Sequence, residues 1–258
     1  MSILINIEAS KIVSLAQEAG ALIMEVYHKD FAIYSKDDGS PLTEADTVSH
    51  QVILSGLRVL TPEFPVLSEE SNEKDVKGRL NWETYWLIDP LDGTKEFVKK
   101  NGEFTVNIAL IHKNKVILGV VDAPALGVTY WGGESIGAYK LEDGVEKSIQ
   151  VINRKENAEN IKIVGSRSHQ SKEFLKFIKG YSNASIVSMG SSLKLCLVAE
   201  GLADLYPRLG LTSEWDTAAA QAIVEGAGGS VVSLYDNLPL RYNMNKNTLL
   251  NPYFLASN

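Results

Sequence analysis

Apolar residues recur at steps of three and four over residues 8–28: Ile12, Leu15, Ala16, Ala19, Leu22, Ile23, Val26 and Tyr27. That spacing gives one apolar face and predicts an amphipathic helix. A short strand is expected over Phe31 to Tyr34, followed by turn chemistry in Ser35-Lys36-Asp37-Asp38-Gly39-Ser40-Pro41. Thr43 is a good N-cap with Asp46 three residues on, so a second helix runs from there to about Leu60 and stops at Thr61-Pro62. Pro65 to Glu70 reads as a short strand ending in acid, and residues 71–83 as a polar loop or short helix. The apolar run Trp86-Leu87-Ile88 then leads into Asp89-Pro90-Leu91-Asp92-Gly93-Thr94. This is a strand entering a turn constrained by proline and glycine. Phe104 to His112 and Lys115 to Asp122 alternate, are rich in β-formers and meet at Asn114 as a hairpin. Val128 to Trp131 and Ser135 to Leu141 continue the pattern. The expectation is an antiparallel meander with two helices on one face.

Beyond about residue 155 the period changes. Strands at Ile161 to Gly165, Ser185 to Ser188, Asp204 to Pro207 and Val231 to Leu234 alternate with helices. The helices fall at Lys172 to Lys179, Ser192 to Glu200 and Trp215 to Ala227, with a last strand at Tyr253 to Ala256. Such alternation argues a separate α/β half. The fold class is therefore α/β, with an α+β half over residues 1–155 and an α/β half over 156–258, joined near the polar stretch Asn153 to Asn160.

Composition narrows the function. The chain has 258 residues, 45% hydrophobic and 22% charged, with a net charge of −7. These values suit a soluble enzyme and argue against a nucleic-acid-binding surface. The single cysteine, Cys196, lies in an apolar run and forms no intrachain disulfide, which fits a reducing cytoplasm. Four separated histidines offer no paired zinc spacing. No secretion signal stands at the start, and no apolar run has the length to span a bilayer.

Two aspartates held in one rigid turn repel each other by about 4 kcal/mol at ~4 Å and an effective dielectric of ~20. A cation or a proton must relieve that repulsion. Further acids fall at strand ends or helix starts: Asp46, Glu69 with Glu70, and Asp216. Hard cations such as Mg²⁺ take oxygen ligands of this kind, and two such ions can clamp an in-line phosphoryl displacement. Asp46 is also explained as a first-turn acid favoured by the helix dipole. The Thr94 hydroxyl could orient a water or simply cap the next helix. Gly165-Ser166-Arg167-Ser168-His169 and Met189-Gly190-Ser191-Ser192-Leu193-Lys194 are strand-to-helix junctions with small residues and cations, suited to an anionic ligand or to capping. Arg208 is a further cation.

The run Asp89-Pro90-Leu91-Asp92-Gly93-Thr94 resembles the signature of the inositol monophosphatase-like superfamily of Mg²⁺-dependent, lithium-sensitive phosphatases. Trp215-Asp216-Thr217-Ala218-Ala219 resembles its second signature, and Ser68-Glu69-Glu70-Ser71 and Leu42-Thr43-Glu44-Ala45-Asp46 match two further elements in order. Lys95-Glu96-Phe97, Asn101 to Asn107, Gly165 to His169 and Gly201 to Arg208 are similar to the bacterial 3'(2'),5'-bisphosphate nucleotidase branch. The resemblance implies a layered sugar-phosphatase fold. It implies removal of the 3'-phosphate of adenosine 3',5'-bisphosphate, and in some members of 3'-phosphoadenylyl sulfate, within sulfur assimilation. It implies two or three Mg²⁺ ions, with Mn²⁺ able to substitute and Ca²⁺ and Li⁺ inhibitory. Glu69, Asp89 and the Leu91 carbonyl would bind one ion; Asp89, Asp92 and Asp216 the second. Asp46 and Thr94, with Glu69 beside them, would position and activate the attacking water. Gly93, Thr94 and Lys95 would meet the scissile phosphate. Ser166, Arg167, Ser168, His169, Ser191, Lys194 and Arg208 would hold the nucleotide. A cytoplasmic monomer or homodimer is expected, and the resemblance allows a loose inner-membrane association. Ala220 stands where relatives usually carry glycine, which bears on how closely its helix approaches a neighbour. The alternatives are a sister phosphatase acting on inositol phosphate or fructose 1,6-bisphosphate, and a non-catalytic metal- or nucleotide-binding protein.

Overall fold

The structure, a computed structural model, describes residues 8–35, 41–72, 74, 76–152, 160–165, 171–181 and 183–258. Helices α1 (Ala9–Tyr27) and α2 (Glu44–Leu60) flank a short hairpin of β1 (Ile33–Ser35) and β2 (Pro41–Thr43). Thr43 caps α2 as its sequence suggested. Its hydroxyl accepts from the Ala45 N–H at 3.2 Å, while Asp46 Oδ2 accepts from the Thr43 N–H at 2.8 Å.

A seven-stranded sheet follows, in chain order from edge to edge: β3 (Val66–Ser68), β4 (Thr84–Asp92), β5 (Thr105–His112), β6 (Lys115–Ala123), β7 (Val128–Gly133), β8 (Gly137–Glu142) and β9 (Val145–Ser148). All neighbours are antiparallel except β3 and β4, which run parallel. The polar strand β9, exposed along its length, carries no hydrophobic alternation and was not anticipated from the sequence. On β4, Tyr85 and Leu87 enter one apolar cluster while Trp86 and Ile88 enter another. The sheet is thus covered on both faces, which corrects the expectation of helices on one face only. Burial on both sides is why β4 reads as a continuous apolar run rather than an alternating one.

The C-terminal residues build a second sheet, ordered β11 (Ser185–Ser188), β10 (Lys162–Gly165), β12 (Leu205–Arg208), β14 (Phe254–Ser257), β13 (Ser230–Ser233). Helices α4 (Lys172–Ile178), α5 (Leu193–Ala199) and α6 (Ala218–Gly226) complete this part, and α6 supplies the second cover of the first sheet. A Cβ placed on Gly119 of β6 would meet the Ala219 carbonyl oxygen at 2.0 Å, so helix and strand touch backbone to backbone there. The strand glycine provides this approach, and the Ala220 methyl is wholly buried beside it. The expected single helix over Trp215 to Ala227 is broken: Glu214–Asp216 form a 3₁₀ turn, and α6 starts only after Thr217, whose φ of −120° is not helical.

Candidate active site

β4 does not end regularly. Asp89 pairs with Asn107 and Asp92 with Thr105, so Pro90 and Leu91 together oppose the single residue Val106. This is a β-bulge, a position where proline costs no ladder hydrogen bond. The Pro90 carbonyl instead accepts from the Ser49 hydroxyl of α2 at 2.7 Å. Residues three apart on a regular strand point to opposite faces; the bulge turns Asp89 and Asp92 to the same one. Gly93, at φ 90°, then starts the short helix α3 (Thr94–Val98).

Asp216, from the 3₁₀ turn ahead of α6, meets this pair. Carboxylate oxygens of Asp89, Asp92 and Asp216 lie within 4.8 Å of one another. Asp89 is 1% exposed. Burial, and then Glu69, Asp92 and Asp216, hold its carboxyl well above the usual carboxylate range. Burial likewise pushes Asp92 up to about 6 against the pull of Lys194, and Asp216 up to about 8 with Asp92 adding to the shift. Glu69 stands outside the 4.8 Å group, at the turn after β3. Its N–H donates to the Ile88 carbonyl at 3.2 Å, and its charge raises all three aspartates. Each aspartate is oriented by a backbone donor. The Leu91 N–H bonds Asp89 Oδ1 at 3.0 Å, the Ser192 N–H bonds Asp92 Oδ2 at 2.6 Å, and the Ser213 N–H bonds Asp216 Oδ2 at 2.9 Å.

Asp46 lies on the far side of Thr94. Thr43 occupies its Oδ2 with both N–H and hydroxyl, each at 2.8 Å. Its Oδ1 accepts from the Thr94 hydroxyl at 3.4 Å, which also reaches the Leu91 carbonyl at 3.3 Å. Thr94 does not cap α3 with its side chain; its hydroxyl points back toward the site.

A cavity of about 340 Å³ opens beside the triad, and Asp92, Gly93, Lys95, Ser191, Lys194, Arg208 and Asp216 are among its walls. Lys194 Nζ donates to the Ser191 carbonyl at 2.6 Å and lies 5.8 Å from the Tyr206 ring centroid. Burial lowers its pKa, opposed by Asp92. Arg208 donates one terminal nitrogen to the Leu211 carbonyl at 2.8 Å. Its Nε and the Ser191 hydroxyl are buried with no hydrogen-bond partner among the described residues.

A profile of the inositol monophosphatase family matches residues 8–258. The chain belongs to the inositol monophosphatase family. It is 49% identical over 249 residues to the 3'(2'),5'-bisphosphate nucleotidase CysQ of Escherichia coli K12, covering 96% of this chain and 98% of that one. To the CysQ nucleotidase of Salmonella typhimurium it is 52% identical over 223 residues, covering 86% of this chain and 88% of the relative. The crystal structure of CysQ from Bacteroides thetaiotaomicron, a bacterial member of the same family, superposes with a TM-score of 0.83 at 41% identity over 96% of both chains.

The candidate site divides into two parts. The structure brings Asp89, Asp92 and Asp216 into one cluster, sets Glu69 at its edge, and places Asp46 and Thr94 together behind the bulge. Lys95, Ser191, Lys194 and Arg208 share the cavity wall. Ser166, Arg167, Ser168 and His169 lie outside the described residues. An all-oxygen donor set of buried, mutually repelling carboxylates fits hard divalent cations, which would relieve what now appears as raised pKa values. The supporting layer was harder to foresee. Ser192 donates its hydroxyl to Asn107 Oδ1 at 2.8 Å and contacts the Thr105 hydroxyl at 2.9 Å, bracing the segment that holds Asp92. Their only signal was polar residues at inward positions of an otherwise apolar strand and junction.

Proposed function

We propose that the chain is a Mg²⁺-dependent 3'(2'),5'-bisphosphate nucleotidase that removes the 3'-phosphate of adenosine 3',5'-bisphosphate, giving AMP and phosphate. The observation that carries this reading is a cavity whose wall holds both carboxylates and cations. Asp92 and Asp216 of the triad are part of that wall. Along the same cavity stand Lys194, Lys95 and Arg208, with the Arg208 Nε–H and the Ser191 hydroxyl without hydrogen-bond partners among the described residues. A substrate with two phosphates meets both: one phosphate at the carboxylates through divalent cations, the other at the Lys and Arg side chains. An inositol monophosphate satisfies only the first. The nucleotidase relatives support the same choice.

Glu69, Asp89 and the Leu91 carbonyl would hold one ion, and Asp89, Asp92 and Asp216 a second; a third would sit near Asp46 and Glu69. Such ions supply Lewis-acid stabilisation of the phosphoryl oxygens and lower the pKa of the attacking water. The protein's own part follows from the hydroxyl of Thr94. Its hydrogen is committed to Asp46 or to the Leu91 carbonyl, so its lone pairs are left to accept a hydrogen from water. That fixes the water's orientation, with Asp46 placed to receive the proton through Thr94. Ser191, Lys194 and Arg208 hold the nucleotide, and water attacks directly without a covalent intermediate. No described helix is long and apolar enough to cross a membrane. Action in the cytoplasm, within sulfur assimilation and with 3'-phosphoadenylyl sulfate as a further substrate, is part of the same proposal.

The test compares turnover of adenosine 3',5'-bisphosphate with that of inositol 1-phosphate, each with and without Mg²⁺. Preference for the nucleotide, and loss of Mg²⁺-dependent phosphate release in Asp89→Asn, are expected. Equal or better turnover of inositol 1-phosphate would overturn the substrate assignment, and retained activity in Asp89→Asn would overturn the metal assignment.

A further inference from the structure

Asp216 rides on a single 3₁₀ turn rather than on a long element. Something outside that turn must hold it. The chain segment 249–251 does so by lying against it like a strand. The Glu214 N–H donates to the Leu249 carbonyl at 2.7 Å, Ser213 forms a bridge with Leu250, and the Asn251 N–H donates to the Thr212 carbonyl at 2.8 Å. Asn251 then does more with its side chain. Its buried Nδ2 lies 2.6 Å from the Ser213 carbonyl, 3.0 Å from the Thr217 hydroxyl and 3.2 Å from the Thr212 hydroxyl. One primary amide therefore grips the chain on both sides of Asp216. Thr212 and Thr217 also line the cavity, whereas Asn251 does not.

We infer that Asn251 is the positioning residue for Asp216, setting the affinity of the triad for its divalent cations without touching substrate. This rests on the metal reading above. The physical reason is preorganisation. The Ser213 N–H fixes Asp216 Oδ2, so the position of the Ser213 peptide dictates where the carboxylate stands. That N–H belongs to the Thr212–Ser213 peptide, whose carbonyl accepts from the Asn251 backbone N–H, and the Asn251 side-chain amide holds the next peptide of the turn through the Ser213 carbonyl. The same Nδ2 donates to Thr217 Oγ1, whose own hydrogen is directed to the Glu214 carbonyl at 3.2 Å. The ends of the turn are thereby tied to each other through one side chain. Without the amide, the 212–217 segment keeps its backbone bridge to 249–251 but loses the tie to its far end. A cation must then order Asp216 as it binds, and this weakens its affinity.

The experiment uses the full chain and Mg²⁺ alone as the probe. The Mg²⁺ concentration giving half of the melting-temperature increase is measured for the wild type, Asn251→Ala and Asn251→Asp. Ile23→Ala, in the core of α1 far from this turn, controls for general loss of stability. Hydrolysis is then followed against Mg²⁺. Both Asn251 variants are expected to need about tenfold or more Mg²⁺. Turnover at saturating Mg²⁺ should recover to near the wild-type value, and the control should titrate like the wild type. Asn251→Asp keeps the side-chain volume, so the result does not hang on the alanine variant folding. An unchanged half-point in the Asn251 variants, or an equal shift in Ile23→Ala, overturns the inference. A wild type whose melting temperature ignores Mg²⁺ overturns the metal reading itself, and the inference with it.

Discussion

Ser192 gives its backbone N–H to Asp92 at 2.6 Å, joining two residues 100 positions apart in the chain. The bond ties the start of α5, in the second sheet's layer, to the bulged end of β4. Its hydroxyl makes a separate connection, to Asn107 and Thr105. Side chain and backbone therefore perform different tasks at one residue. Ser192→Ala keeps the donor to Asp92 but leaves Asn107 Oδ1, wholly buried on β5, without its hydroxyl partner. The expected loss is about 1–3 kcal/mol of stability, read by urea unfolding, with the Mg²⁺ requirement nearly unchanged. A large rise in Mg²⁺ requirement would show that the hydroxyl, not the amide, holds Asp92.

Thr94 and Asp46 form a second pair, and removal of the Thr94 hydroxyl should act on turnover rather than on metal binding. Thr94→Ala or Asp46→Asn is expected to lower kcat by about 10²–10⁴-fold, the usual contribution of positioned proton transfer. Thr94→Ser should restore most of it, since the hydroxyl is kept. The Mg²⁺-induced melting shift should survive in the threonine variants. If Thr94→Ala turned over normally, the orientation of water by this hydroxyl would be refuted.

The aspartates also fix how stability responds to pH. With folded pKa values near about 6 for Asp92 and about 8 for Asp216, both above the ordinary carboxylate value, the folded chain holds more protons than the unfolded one. Stability is then fully present below about pH 4 and falls as pH rises through the folded pKa values. Asp122 and Glu214, each pushed up to about 7 chiefly by burial, add in the same direction. In chelator, the melting temperature should fall between about pH 4 and pH 8. With saturating Mg²⁺ the fall should shrink or reverse, because cations bind the deprotonated carboxylates. A chelator curve that rises over this range would contradict the raised carboxyls.

Gly119 offers a test of the packing beneath the site. An added Cβ would press on the Ala219 carbonyl at 2.0 Å, which is backbone and has no rotamer to change. Gly119→Ala should cost about 1–3 kcal/mol or more through overpacking. Because α6 begins next to Asp216, its displacement should also raise the Mg²⁺ requirement. A variant with unchanged melting temperature and metal requirement would mean that α6 moves freely on the sheet.

Much of this was legible in the chain. The helical periods of α1 and α2, the capping box at Thr43 and the alternation of β5 to β8 are local signals, and they gave elements close to those observed. The ordered motifs singled out Asp89, Asp92 and Asp216, which the structure gathers into one cluster. What escaped was set by contacts distant in sequence. β9 has no apolar rhythm because both its faces are exposed. The break before α6 depends on Ser213 and Asp216 capping each other rather than on any helix-breaking residue. The second cover on the sheet could not be read from either half alone, since it depends on a strand glycine meeting a helix about one hundred residues later. Asn251 gave no sign because its partners, Thr212, Ser213 and Thr217, lie well before it in the chain.

The bulge in β4 has a consequence for what this site could lose in evolution. Deleting one of Pro90 and Leu91 would leave the two aspartates two residues apart, and a regular strand already puts such residues on one side. The carboxylates would therefore still face the same way. What would vanish is a peptide carbonyl released from the ladder, together with the anchor point for Ser49. The supernumerary residue thus frees an uncharged backbone oxygen from strand pairing for a side-chain partner, which no point substitution can remove and only a change in chain length can.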